Sequence, residues 1–525
     1  MNNNELIKEL LSSPQKLIKK KPFTRGFVRE CASAKEFSVG VGESFEAVIP
    51  RTRLKVVSQE TFLRELDPSA HNVLFDDNIP SFCVKLKDGN VNEIKHEKVA
   101  IPFQKLIKDK QVMHLTSNPM QFTLMDVEPT DEQQKNFITF KQYWDLRNQD
   151  GMKTKFVDAQ LSVGDAGLLY YFDSSGKIKS RLLSYMDGYV LCPHNDQNGD
   201  RVLECVYYVD GEEEYIDCYD STYMYRFSKG TEEADEVSDD TIDGWKVYKP
   251  EKHGFSEIPL ITKRGEVAWN KVQTAIEGYE ALYNILLVSI KKYGYNMLYV
   301  RGKFKEQAQK IAGAMILNDT SIDGNGDAKF LEYPQPTGAM ETLELMKENI
   351  QLGSSTTFLL PDDVKTGGDV AGIAIQLVQS LDLELAHQKV IEWQNVADKM
   401  VRLFKEGLAK ELVNNKENGQ AVTQFEELNI NAKFKVWKPL NEYEYNQIIT
   451  MLYGANVLSQ ESAIELNTLS KPDEKKRIEK ETEEKERKAQ EQFEQQAALA
   501  QAKTGDHSNK EDEKKGKEDK KGGNE

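Results

Sequence analysis

Several runs in this chain carry residue types that could do chemistry, and their spacing decides against most of it. Asp323-Gly-Asn-Gly-Asp327 offers oxygen ligands around glycines, as calcium loops do. The register fails. A twelve-residue loop begun at Asp319 puts Phe330 where the bidentate glutamate belongs, and one begun at Asp323 has no glycine at its sixth position. A surface turn fits better, and Asp196-Gln-Asn-Gly-Asp200 reads as a hairpin turn for the same reason. None of the seven histidines sits in HExxH or pairs with a cysteine at zinc-ligand spacing. His387 reads as an exposed or interface side chain. The five cysteines, at 31, 83, 192, 205 and 218, form no CxxC pair and read as buried or partly exposed thiols of a reducing compartment. There is no GxSxG elbow. No glycine loop precedes a Gly-Lys-Ser/Thr, so work driven by nucleotide hydrolysis would fall to a partner.

Two loops hold polar residues that suit contact better than catalysis. Residues 354–369 contain Asp362, Asp363, Lys365, Gly367, Gly368 and Asp369. Pro361 stiffens one side of this loop, and the glycine pair frees the other. On its own this reads as a solvent loop with Asp369 as an N-cap. Residues 294–338 combine Tyr295, Tyr299, Arg301, Lys303 and Phe304 with a turn at Gly324–Gly326. Aromatic and arginine side chains are the usual anchors of a docking surface.

The elements that must position these loops are helices. Trp269, Val272, Ile276, Tyr279, Tyr283, Leu286 and Ile290 alternate spacings of three and four, which predicts one apolar seam on a helix starting near Glu266. A second helix is expected near 339–352. A third, from about Val370 to Val413, contains no proline and would span roughly 65 Å. Upstream, residues 1–30 hold an amphipathic turn or two and a basic run from Lys16 to Arg25, and 31–100 mix short strands and turns. A helix is expected from Val99 to the Asn118-Pro119 stop. Thr130-Asp-Glu-Gln133 is a capping box opening a helix with Phe137, Phe140 and Trp144 on one face. From Ala159 the pattern turns to strands: a hairpin at 164–185 around Asp173–Gly176, then Tyr189–Cys192, Val202–Val209, Tyr215–Tyr219 and Tyr223–Phe227. An acidic loop is expected at Thr231–Asp243, then a strand at Trp245–Tyr248 and an extended Phe255–Ile261. After the long helix come a strand at Ile430–Val436, helices at Asn441–Tyr453 and Gln460–Leu469, and a charged helix from Lys471 to about Ala502. Residues 503–525 are too polar to bury a core.

The chain of 525 residues, 39% hydrophobic and 30% charged, fits several domains or one large composite fold. Its net charge of −17 argues against a protein that wraps nucleic acid, which needs basic stripes. The acid lies in the body: Lys471–Glu525 holds 16 acidic and 15 basic residues. An acidic body serves solubility, or keeps passing DNA off a wall. No run approaches a membrane span and no signal-peptide core is evident, so the expectation is a cytosolic product with no membrane partner.

The order of these pieces resembles tailed-bacteriophage portal proteins. Leu360-Pro-Asp-Asp-Val-Lys-Thr-Gly-Gly-Asp-Val-Ala-Gly-Ile-Ala-Ile375 is similar to the segment leading from their second stem helix into the long helix. Portals often carry Ser-Gly-x-Ala there, and this chain has Ala371-Gly-Ile-Ala374. The meander ending in Ile258-Pro-Leu-Ile261 and the phrase Leu458-Ser-Gln-Glu-Ser-Ala463 also resemble portal elements. The resemblance covers roughly 95–480. It implies an α+β portal-type fold: an N-terminal wing over 1–264 with its β-meander at 160–261, stem helices at 265–293 and 339–353, a clip at 294–338 and a tunnel loop at 354–369. The long wing helix and return strand would occupy 370–439 and the helical crown 440–502, with a disordered tail at 503–525. It further implies a homo-oligomeric ring of about twelve copies at one capsid vertex, through whose channel double-stranded DNA is packaged and ejected. The expected partners are the large terminase subunit, a head-completion adaptor on the clip, and a capsid or scaffold protein. The place is the virion, after assembly in the host bacterial cytoplasm. No enzyme activity, cofactor or metal is implied.

Two other classes fit the composition. One is a cellular α+β scaffold whose C-terminal helix binds a partner. The other is a hydrolase with a site assembled only in three dimensions. A ring with a central hole separates the portal from the first, and turnover of ester, phosphate or peptide substrates would favour the second.

Overall fold

A computed structural model describes residues 3–31, 35–38, 44–47, 50–77, 79, 82–85, 91–94, 97–126, 129–230, 237–293, 297–301, 309–311, 314–316, 327–331, 337–358, 377–414, 425, 428–437, 442–467, 474, 477–492 and 494. The chain divides into two units, residues 1–368 with 375–438, and residues 369–374 with 439–525. The first unit mixes helices with antiparallel sheets, in keeping with the α+β expectation.

Its main core forms where helices cover a small sheet. Strands Asp165–Phe172 and Ile178–Leu183 form the expected hairpin, and Leu260–Arg264 adds to the other edge of the first strand. The turn is set by Asp173, whose carboxylate accepts the backbone N–H groups of Ser175 and Lys177. The Ser175 hydroxyl, which donates to the same carboxylate at 2.7 Å, does most to hold its pKa far below the usual carboxylate range, with the Lys177 N–H and the Lys179 ammonium group adding to it. Over this sheet lie helices Phe103–Thr116, Asp131–Leu146, Gln149–Val163 and Ser380–Asn414. The capping box at Thr130 and Gln133 is formed, so Asp131–Leu146 starts where its sequence places it. Phe140 and Trp144 from this helix are fully buried and meet Phe404 edge-on, at ring-centroid distances of 5.7 and 5.2 Å. Each such pair contributes about 0.5–1.5 kcal/mol beyond area burial. Phe137 stays half-buried under the ammonium group of Lys141.

The meander after residue 189 is a seven-stranded antiparallel sheet. Its strands run Val190–Asn195, Arg201–Asp210, Glu213–Tyr219, Tyr223–Lys229, Trp245–Tyr248 and Val237–Ile242 in spatial order, with the two-residue strand Glu251–Lys252 also on Tyr223–Lys229. One face buries Leu203, Ile216, Phe227 and Trp245 beneath Leu17 from the N-terminal segment.

Several boundaries differ from those the sequence suggests. The helix Gln149–Val163 was not anticipated, because Gly151 interrupts its apolar pattern. Asn148 caps it in a left-handed conformation by accepting the Gly151 N–H at 3.2 Å, and Gly164 ends it at φ +86°. The acidic stretch expected as a loop contributes strand Val237–Ile242. The seam helix begins at Gln273 and not at Glu266, because residues 268–272 form successive turns while the Ala268 N–H donates to Leu161 C=O. The long helix is Ser380–Asn414, about 52 Å, after a turn at Gln379. Residues 359–376 lie outside the described region. The strand expected over 430–436 is Ile430–Lys433 and pairs with Gln121–Leu124. Among the described residues no helix is long and apolar enough to cross a membrane.

The second unit contains helices Glu442–Gly454 and Gln460–Leu466, the latter capped by Ser459, and exposed helical residues at 477–492. Ile448, Met451 and Val457 are exposed on it.

Candidate functional site

The site is built on a helical hairpin, Gln273–Tyr293 against Thr337–Ser354. Two glycines let the helices approach. A methyl group on Gly278 would meet Met346 Cε at 3.3 Å, and one on Gly353 would meet Val272 Cγ1 at 2.7 Å. Of the seam residues, Trp269, Val272, Ile276, Tyr279 and Leu286 are buried, Tyr283 is half-buried, and Ile290 is 41% exposed. Their cover comes from the same chain: Leu343 and Ile350 of the second helix, Phe103 and Ile107 of the helix below, and Val57 and Phe62. The sequence suggested that a neighbouring copy must cover this seam. The tertiary structure supplies the cover internally, so the seam is no argument for assembly.

The faces left over mix carboxylates with exposed apolar side chains, among them Ile285, Met340, Leu345 and Leu352. Glu277, Glu341, Glu344 and Glu348 are exposed, and the last three follow one another at helical spacing. The one lysine of the second helix, Lys347, is half-buried with its ammonium group over the Tyr279 ring at 5.8 Å.

A buried polar staple fixes the first helix of the hairpin. Glu280 and Asn284 lie four residues apart on its buried side. Asn284 accepts the Val99 N–H and donates to Val99 C=O, both at 2.8 Å. Glu280 accepts the Ile101 N–H at 2.7 Å and lies 2.7 Å from His71 Nδ1. The other ring nitrogen of His71 faces Glu65 C=O at 2.8 Å. Both nitrogens therefore face acceptors, which a neutral ring cannot satisfy. Glu280, Glu65 C=O and nearby Asp67 together raise the His71 pKa, against the opposing effect of burial. Glu65 itself accepts from Arg25 at 2.5 and 2.8 Å and from the Trp269 indole at 2.8 Å. The basic run 16–25 is partly consumed this way, since Lys20 pairs with buried Asp165. Sequence reading missed this network. Its only visible signal was a glutamate and an asparagine intruding on an apolar helix.

Beyond the second helix the chain passes Ser355, a non-glycine residue at φ +48°, into the expected tunnel loop. Its first residues are pinned. The Thr357 N–H donates to Asp382 Oδ1 at 2.8 Å, and the Thr357 hydroxyl donates to Val378 C=O at 3.3 Å. The Phe358 N–H donates to Gln351 Oε1 at 3.1 Å. Gln111 donates to Ser354 C=O and Thr356 Oγ1, both at 3.3 Å. Chain on either side of 359–376 is thus tied together on the long helix. Asp362, Asp363, Lys365, Gly367, Gly368 and Asp369 lie outside the described residues.

Of the residues expected to dock a partner, Tyr299 and Arg301 lie on strand Met297–Arg301, in register with Lys329 and Asp327. Tyr295, Lys303 and Phe304 lie outside the described residues. So does most of the calcium-like run. Among the described residues no group of three or more His, Cys, Asp or Glu is placed to hold a metal ion.

The arrangement can present carboxylates on a braced hairpin and anchor a loop at one end. A family model described as "Phage portal protein, SPP1 Gp6-like" matches residues 72–489. That span takes in the hairpin, both flanks of the loop and the long helix. No curated protein matches the chain.

Proposed function

The chain belongs to the phage portal protein family of the SPP1 Gp6-like kind, and from that premise we propose that it forms a closed ring at one capsid vertex and passes double-stranded DNA through its axis. Portal proteins are structural, ring-forming components of the virion capsid, and the family is not an enzymatic one. The finer roles are the proposal. About twelve copies close the ring by a repeated head-to-tail contact. The helices 273–293 and 337–354 are its stem, and the residues between them, 294–336, are the clip on which the large terminase subunit and a head-completion adaptor dock in turn. The loop 354–369 lines the channel, which serves packaging and ejection alike.

The observation that carries this reading is the family match across the hairpin, together with the three exposed glutamates of its second helix. A channel for DNA must not bind DNA. Glu341, Glu344 and Glu348, repeated around a ring, repel phosphate and keep the duplex off the wall. Lys365 in each loop adds a cation for brief contact. An ion contact in water is worth only about 1 kcal/mol and breaks readily.

Negative-stain microscopy and native mass spectrometry of the purified chain test assembly. Closed rings of about a dozen copies are expected, and monomers or dimers alone across salt and magnesium conditions refute it. Reversing Glu341, Glu344 and Glu348 to lysine tests the channel in a reconstituted packaging reaction. Rings are expected to persist while packaging slows in a salt-dependent way. Unchanged packaging by such rings places these residues away from DNA. Arg301→Ala with Phe304→Ala tests the clip: ring formation is kept and adaptor or terminase binding falls, and normal binding of both partners overturns the assignment.

A further inference from the structure

Three cysteines stand in one row across three adjacent strands of the seven-stranded sheet. Cys192 is in register with Cys205, and Cys205 with Cys218. All three are buried, at 0%, 1% and 0% exposure. The Cys218 thiol points at Cys205, with the two sulfur atoms 2.7 Å apart. Residues directly opposite on antiparallel strands hold their Cβ atoms about 4.5–5.5 Å apart, and a disulfide needs about 3.5–4.5 Å. Little movement separates this pair from a bond.

We propose that Cys205 and Cys218 are a latent disulfide, a modification site that closes across the sheet when a peroxide reaches it. The thiolate of one cysteine attacks a peroxide oxygen, breaking the O–O bond and leaving a sulfenic acid and hydroxide. The thiolate of the other attacks that sulfur and expels the hydroxyl oxygen, which leaves as water once protonated. Two thiols and one hydrogen peroxide give one disulfide and two waters.

The surroundings make this slow and selective. Leu17 seals the cysteine face, with Leu10, Leu11 and Ile18 around it. A bulky disulfide such as oxidised glutathione needs a far larger opening to reach the buried pair than a molecule the size of hydrogen peroxide. Burial raises the Cys205 thiol well above its ordinary pKa, and Cys192 is pushed up to about 12. The thiols therefore stay reduced in a reducing cytoplasm and become a bond during long exposure to oxidants. A virion component meets such exposure outside a cell. That consequence rests on the portal reading, but the chemistry of the pair does not.

The test uses the full-length purified chain. It is incubated natively with hydrogen peroxide, unfolded in N-ethylmaleimide without reductant, cut with trypsin and weighed. Arg201 and Arg226 bound a tryptic peptide, 202–226, that contains both Cys205 and Cys218, while Cys192 falls in the preceding peptide. The expected product is peptide 202–226 lighter by two hydrogens and carrying no maleimide, with Cys192 still labelled. Cys192→Ser should leave this product intact, and Cys218→Ser should abolish it. Oxidised glutathione should give far less product than peroxide over the same period. Peptide 202–226 keeping both maleimides overturns the proposal, provided the unfolded chain oxidises under the same conditions. So does a bond from Cys192 to Cys205, or accumulation of sulfinic acid in place of the bond. Each outcome is read on the chain alone, so it is independent of whether rings form.

Discussion

The contact between His71 and Glu280 makes a quantitative prediction. Glu280→Gln keeps the shape of the side chain and removes its charge. The neutral amide can still accept the Ile101 N–H, but it no longer stabilises an imidazolium. A neutral His71 then has one lone pair facing an oxygen, either of residue 280 or of Glu65 C=O, because both neighbours are acceptors at 2.7 and 2.8 Å. Losing a hydrogen bond to a charged group costs about 1.5–3 kcal/mol. Both side chains are almost fully buried, so solvent does little to soften the loss. The expected effect is about a 10- to 100-fold faster opening-limited exchange of the Ile101 amide. Hydrogen exchange of residues 97–103, corrected for intrinsic rates, reads it directly. The pH dependence follows from the raised pKa of His71. Below about pH 6.5 the open and closed forms both hold the proton, and the full stabilisation is present. Between there and the raised folded pKa, only the closed form holds it. Stability then falls with rising pH, by about 1.4 kcal/mol per unit at most. Above the folded pKa the contribution is gone. The gap between wild type and Glu280→Gln is therefore largest near pH 6 and closes as pH rises. Equal exchange at pH 6, or a gap that widens toward alkaline pH, refutes the reasoning.

Other perturbations have equally direct outcomes. Gly407→Ala places a methyl group at 2.0 Å from Ile178 Cδ1 and 3.3 Å from its Cβ. The overpacking should cost about 1–3 kcal/mol in calorimetry, and Ile178→Val should recover part of it. Asp382→Ala leaves the buried Thr357 N–H without its acceptor, at about 1–3 kcal/mol, and should raise exchange at residues 355–358 while sparing the sheet. Thr130→Ala removes the capping box of Asp131–Leu146 and should lower stability by about 1 kcal/mol, with Thr130→Ser restoring most of it. Replacing Gly367 and Gly368 together by alanine should spare ring formation and reduce packaging, and wild-type packaging by normal rings removes any hinge role for the pair.

Local rules made part of this protein legible without coordinates. The hairpin turns at Asp173 and Asp196, the capping box at Thr130 and the apolar positions of the seam all depend on neighbours a few residues away. Short-range hydrogen bonding and periodicity fix them wherever the chain goes. The order of such pieces was enough to point to the portal family. Tertiary structure alone decided what covers what. The seam from Trp269 to Leu286 announces that it must be buried, but not that Phe103, Ile107, Leu343 and Ile350 of the same chain bury it. Glu280 and Asn284 interrupt an apolar helix and would count locally as defects. They become a buried fastening of the hairpin only because the fold brings His71, Val99 and Ile101 to them from about two hundred residues away in sequence. The same holds for Cys205 and Cys218. Thirteen residues apart and in no motif, they meet because strand register sets them opposite each other, and register is a property of the assembled sheet.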